Sequence, residues 1–341
     1  MAWFDGFERH TVTLGGLPVT FRRSVDWPLD KPVLVLLHGF PQTHVLWHRV
    51  AQQLKQSYRI VMPDLRGYGD SSHAVGDAGQ AHYSKRALAR EVVDLLDHLG
   101  VQDFFLCGHD RGGRVAHRLA VDHPLRVKKL CVIDIAPTLD MYAATDMTFA
   151  RGYYHWFHLI QSSPLPETMI GGNPRAYLHT KLGGWGSGGL DYLEPQALAE
   201  YERCFARPDA IHSACEDYRA SASIDLAHDR QSREMGERIA CDTLVLWGDR
   251  GLVNRLFKPL ELWLYEYIRY LENKERDELD KKYPNLRNVH YENEDLQALL
   301  EIRKIVPLVA EAAVRLAICK DTSIEQRYLM VYKKANHYAL E

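Results

Sequence analysis

The chain has 341 residues, enough to bury a substantial core as one large α/β domain or two smaller ones. A formal net charge of −3 gives no basic field for nucleic acid, and no window approaches an uninterrupted apolar membrane span. The six cysteines (Cys107, Cys131, Cys204, Cys215, Cys241 and Cys319) form no CxxC pair, and MAWFDGFERH has neither a basic nor an apolar leader stretch, so a cytoplasmic protein with reduced thiols is expected.

In chain order, TVTLGGLPVTFRR (11–23) is two alternating runs around Gly15-Gly16 and predicts a hairpin. KPVLVLLHGF (31–40) is a continuous β-rich apolar run, the pattern of a central parallel strand, ending in His38-Gly39-Phe40-Pro41. His44 and His48 stand at helical i,i+4 spacing but lack the glutamate of a zinc-protease HExxH, so they read as structural or pocket-lining and no metal is expected. YRIVMPDLRGYGDSS (58–72) predicts a strand and a glycine-rich loop, and SKRALAREVVDLLDHLGV (84–101) an amphipathic helix stopped by Gly100. DFFL (103–106) predicts a buried strand and GGRVAHRLAVDHP (112–124) a helix that ends at His123-Pro124. KKLCVIDIAP (128–137) and, much later, CDTLVLWGDRG (241–251) predict two more strands.

Strands alternating with helices imply a mostly parallel sheet wrapped on both faces. The hundred or so residues between the last two strands are rich in Trp, Tyr and His, and a segment of about that length predicts a helical cap over the active site. The expected organisation is an α/β core over 1–136, a cap over 137–238, and the rest of the core over 239–341.

LCGHDRGGR (106–114) carries the chemistry. Small-x-nucleophile-x-small between strand and helix is the nucleophile elbow of the α/β-hydrolase fold, here built around Asp110 instead of serine. A carboxylate suits attack on a saturated carbon or a strained ring, giving an alkyl ester on the enzyme, whereas serine serves acyl transfer. An aspartate that only caps the following helix is the plain alternative. Arg111 and Arg114 form a forked donor set at the start of that helix, suited to a substrate carboxylate. The elbow rule places the oxyanion donors at the backbone N–H groups of Phe40 and Arg111.

Taken together, HGFPQTHVLWH, DLRGYGDSS, GHDRGGR, YYHWFH and WGDRGLV resemble the fluoroacetate dehalogenases of the α/β-hydrolase superfamily over residues 1–263. The resemblance implies hydrolysis of short 2-haloacids, fluoroacetate among them, through an aspartyl ester, with no cofactor and with a homodimer as the assembly. It also implies a halide pocket of His155, Trp156 and Tyr218, with Trp185 a further pocket-lining candidate, and Asp134 as the acid that orients the general base. Many hydrolases place that acid three residues past the glycine of the LVLWG strand; here Gly251 occupies that position and Asp249 falls two residues early. Epoxide hydrolases typically carry a tryptophan directly after the nucleophile, where this chain has Arg111. An epoxide hydrolase and a non-catalytic binder of small carboxylates remain the rival readings.

After Trp263 the resemblance ends. Arginine outnumbers lysine 22 to 7 up to that residue and falls to 6 against 7 beyond it, so residues 264–341 form a compositional break. The family's base histidine has no counterpart at its usual spacing. His290, in NVHYENE, is nearer that spacing, while His337, in LMVYKKANHYALE, follows a better strand, with Asn336 able to take the left-handed turn before it. His337 is the preferred base and His290 the alternative.

Overall fold

The computed structural model describes residues 3–73, 79–184, 189–248, 251–259 and 262–263. The hairpin forms as β1 (Phe7–Leu14) and β2 (Leu17–Ser24), turning at Gly15 and Gly16 with φ of +55° and +84°, values that L side chains rarely adopt. β3 (Val33–Leu37) is buried at every residue, as a strand covered on both faces must be. Strand and helix then alternate through α1 (His48–Leu54), β4 (Arg59–Pro63), α2 (Lys85–His98), β5 (Phe104–His109), α3 (Arg111–Asp122) and β6 (Val127–Ile133).

The helix α2 starts where the Ser84 hydroxyl accepts the Ala87 N–H at 3.2 Å, and Gly100 follows its end at φ +69°. Its Leu88, Val92, Leu95 and Leu96 are buried, and it packs against α3.

Among the described residues, eight helices intervene between β6 and the next strand: α4 (Thr138–Ala143), α5 (Met147–Gly152), α6 (Tyr154–Leu159), α7 (Leu165–Gly171), α8 (Pro174–Gly184), α9 (Pro195–Phe205), α10 (Pro208–Ser221) and α11 (Ile224–Met235). β7 (Asp242–Leu246) and α12 (Leu252–Leu256) follow. Arg219 on α10 reaches Glu167 on α7 at 2.8 Å, and Arg118 on α3 reaches Asp229 on α11 at 3.5 Å, so polar ties fix these helices to one another and to the core.

Among the described residues, seven strands lie in the order β1-β2-β4-β3-β5-β6-β7, antiparallel through β1, β2 and β4 and parallel from β4 onward. Register pairs Leu37 with Gly108, His109 with Ile133 and Ile133 with Leu246, so β3, β5, β6 and β7 end at one level. His38, Asp110 and Asp134 therefore stand side by side at the carboxyl ends of the parallel strands, where open α/β sheets bind ligands. The five cysteines within the described residues are buried free thiols. No helix among those residues is long and apolar enough to cross a membrane.

Candidate active site

Asp110 sits between β5 and α3 at φ +48°, ψ −118°, a conformation costing a non-glycine residue about 1–3 kcal/mol. The surrounding glycines make it affordable. A Cβ on Gly108 would lie 2.4 Å from the Gly112 oxygen, one on Gly112 would lie 2.2 Å from the His38 oxygen, and one on Gly39 would lie 2.5 Å from the Asp110 Cβ. Strand, turn and helix thus approach at backbone distance and push the Asp110 side chain outward. The Phe40 N–H donates to Asp110 Oδ1 at 2.9 Å, which brings the predicted oxyanion donor onto the predicted nucleophile. Arg111 opens α3, so its backbone N–H belongs to the free amides of a helix start.

The loop carrying Phe40 is held by His38. Its Nε2 accepts the Leu65 N–H at 3.0 Å, and burial lowers its pKa to about 4, leaving the ring neutral as an acceptor must be. His44 and His48 take structural bonds. His44 Nδ1 lies 2.8 Å from Asp64, its Nε2 accepts from Arg22 at 3.0 Å, and His48 Nδ1 lies 2.8 Å from the Val45 oxygen.

The two arginines are both buried, and they differ. Arg111 gives Nε to Asp217 Oδ2 at 2.8 Å, and Nη2 to Asp217 Oδ1 at 3.0 Å and to the Asp217 backbone oxygen at 2.7 Å; Nη2 also bonds Ser221. Its Nη1 is buried without a hydrogen bond, and its guanidinium lies 4.1 Å from the centre of the Tyr218 ring. The predicted fork is therefore half occupied from within the protein. Burial works against the Arg111 charge, but Asp217 outweighs it and holds the guanidinium above its ordinary pKa. Among the described residues, Arg114 donates only to neutral acceptors: the Ala136 oxygen at 3.1 Å, Thr138 Oγ1 at 2.9 Å and Met141 Sδ at 3.2 Å, with Trp156 against its face at 4.6 Å. Burial, then the Arg111 charge, lowers its pKa.

Asp217 was not singled out in the sequence, nor were its partners Lys85 and Tyr68. Its carboxylate takes the Tyr68 hydroxyl at 2.8 Å and a short Lys85 ammonium contact in addition to Arg111. Burial opposes its charge, yet Arg111 and Lys85 prevail and hold the carboxyl well below the usual range. The available signal was an acid directly before Tyr218 on a helix whose Glu216, Asp217 and Tyr218 are all buried.

His155, Trp156 and Tyr218 come together as the resemblance implies. Ring centroids separate His155 from Tyr218 by 5.7 Å and Trp156 from Tyr218 by 6.3 Å, and Phe40 lies 5.4 Å from Tyr218 and 6.1 Å from His155. Among the described residues, Trp156 Nε1 and the Tyr218 hydroxyl are buried and find no hydrogen-bond partner. Burial, then Asp110, raises the Tyr218 pKa far above its ordinary value; burial, then Lys181 and the two arginines, keeps His155 neutral. The cluster therefore offers neutral N–H and O–H groups and no anion.

Asp134 ends β6 at φ +53°, its N–H donating to the Leu246 oxygen at 2.7 Å and its Oδ1 accepting the Gly248 N–H at 3.4 Å. Burial raises its pKa, with His109 acting the other way. A Cβ on Gly251 would lie 3.4 Å from Asp134 Oδ1, so the two sequence positions considered for the orienting acid converge on one place. His290, His337, Trp185 and Asp249 lie outside the described residues.

An aspartate elbow at the carboxyl end of a parallel sheet, with an amide on its carboxylate, defines a hydrolase class. This chain belongs to the alpha/beta hydrolase fold family, which matches residues 32–262. It is 44% identical over 260 residues to a fluoroacetate dehalogenase of Burkholderia sp, covering 76% of this chain and 84% of that protein. Epoxide hydrolase 4 of Mus musculus is 32% identical over 250 residues, 70% of this chain and 66% of that protein. A crystal structure from Nostoc sp PCC 7120, described as an alpha/beta hydrolase, shares 44% identity with a TM-score of 0.73, over 83% of this chain and 99% of that one. The family match stops at residue 262, beside the compositional break after Trp263.

Proposed function

We propose that the chain is a hydrolytic dehalogenase of short 2-haloacids, converting fluoroacetate and water to glycolate, fluoride and a proton. Asp110 attacks the α-carbon, the carbon–halogen bond breaks, and the acid is left as an alkyl ester on the protein. Trp156 Nε1, the Tyr218 hydroxyl and His155 receive the halide as its charge develops. Water, deprotonated by His337 (His290 being the alternative) with Asp134 as orienting acid, then attacks the Asp110 carbonyl, and the amides of Phe40 and Arg111 take the oxyanion. No cofactor enters. In the same reading, 1–136 and 239–341 make one core, 137–238 its cap, and the working form is a cytoplasmic homodimer.

The observation that carries this reading is Arg114, a buried guanidinium beside Asp110 whose hydrogen-bond acceptors among the described residues are all neutral. A substrate carboxylate would add a counter-charge to the one that Asp110 supplies, and a neutral epoxide would add none. The test is halide release from fluoro-, chloro- and bromoacetate. Wild type should release halide, and Asp110→Asn should release none, since an amide is a far poorer nucleophile. Single turnover in heavy-oxygen water should label the Asp110 carboxylate; label confined to glycolate would mean that water attacks the substrate directly. Diol formation from epoxides without halide release, or saturable carboxylate binding without turnover, would replace this reading by one of its rivals.

A further inference from the structure

Accepting the carboxylate-binding reading above, we propose that Asp217 is a positioning residue of that site, one that occupies one edge of Arg111 so that Nη1 alone remains to meet the ligand. A free guanidinium offers several equivalent ways to hold a carboxylate. Here Nε and Nη2 are committed to Asp217 in a bidentate pair, with the Asp217 backbone oxygen and Ser221 also on Nη2. Tyr218, the next residue on α10, covers one face of the guanidinium at 4.1 Å. What remains is Nη1, buried and without a hydrogen bond. The direction from which a ligand can engage Arg111 is thus fixed before it arrives.

The charges divide in the same way. Asp217 and Asp225 stand against Arg111 and Lys85, with Lys85 Nζ 3.5 Å from Asp225 and closer still to Asp217. That cluster is neutral as a unit. Arg114 has no carboxylate among its hydrogen-bond partners. Arg111 therefore orients and Arg114 attracts, and Asp217 is what separates the two roles. Removing its charge should strengthen anion binding while loosening orientation, a combination that mere loss of structure would not produce.

The test is Asp217→Asn, with affinity for acetate measured by calorimetry and kcat and KM for fluoroacetate measured separately. The variant should bind acetate several-fold more tightly than wild type, while kcat falls by about a hundredfold, the order expected from a misplacement of about an ångström. Weaker acetate binding with kcat unchanged would overturn the assignment, as would wild-type values for both. Should Asp217→Asn fail to fold, Tyr68→Phe removes one of the bonds that hold the Asp217 carboxylate and keeps its charge. It should lower kcat with acetate affinity unchanged, and a wild-type kcat there would overturn the proposal. If wild type binds acetate and releases no halide, the haloacid reading fails on its own. The acetate affinities of wild type and Asp217→Asn then still decide the role of Asp217.

Discussion

The Tyr218 hydroxyl is fully buried and makes no hydrogen bond, which costs a folded protein about 1–3 kcal/mol. A fold that carries such a cost gains from an anion that satisfies it. Tyr218→Phe should leave the melting temperature unchanged or higher, because the unsatisfied group is gone. It should lower kcat on fluoroacetate about ten- to a hundredfold and lower it less on chloroacetate, since fluoride depends more on donated hydrogen bonds to depart. Equal losses on the two substrates would remove Tyr218 from the halide site. At this scale the sequence was informative wherever a placement is local. Asp110 between its glycines and Phe40 in its block are both picked out as neighbours of one site, and the structure joins the two at 2.9 Å. Asp217 did not read, because its partners Arg111, Lys85 and Tyr68 lie 106, 132 and 149 positions away and buried charge pairing leaves no periodic trace.

The β5–α3 turn shows how an element can be specified by what it excludes. At Gly112 the two nearest atoms to an added Cβ are backbone oxygens, those of His38 at 2.2 Å and Leu37 at 2.5 Å, so relief requires the strand and helix to separate. Gly112→Ala should destabilise the fold by about 3 kcal/mol and abolish turnover. Gly171, on α7, has nothing within 4 Å of an added Cβ and no strained φ. Gly171→Ala should be neutral or stabilise by up to about 1 kcal/mol through helix propensity alone. Thermal melts of both variants check the pair, and equal effects would mean that backbone approach at the elbow is not limiting. The predicted strands and the helices α2 and α3 form as expected, because periodicity and glycine stops record local geometry. The number and packing of helices between β6 and β7 did not read, since ties such as Arg219–Glu167 are set by tertiary contact.

For the whole molecule, the proposed attack on the substrate uses described residues alone, while the proposed ester hydrolysis adds to them a base from the residues after Trp263. His337→Asn should let Asp110 attack but stop water from clearing the ester, releasing about one halide per site before stalling. Intact-mass measurement should then find a carboxymethyl adduct on the peptide holding Asp110, with His290→Asn close to wild type. The adduct in the His290 variant instead would exchange the two assignments. Adduct accumulating in wild type would mean that neither histidine acts as base. On the proposed reading, the Asp217 tie also bears on how a small acid would get in and out. Swinging α10 away from the core would part Asp217 from Arg111, Lys85 and Tyr68 at once, so all three bonds would have to be exchanged for water together. On the proposed reading, a small acid would then reach the two arginines between side chains that change rotamer more readily than by the lifting of α10, and the width of that passage would screen acids by size.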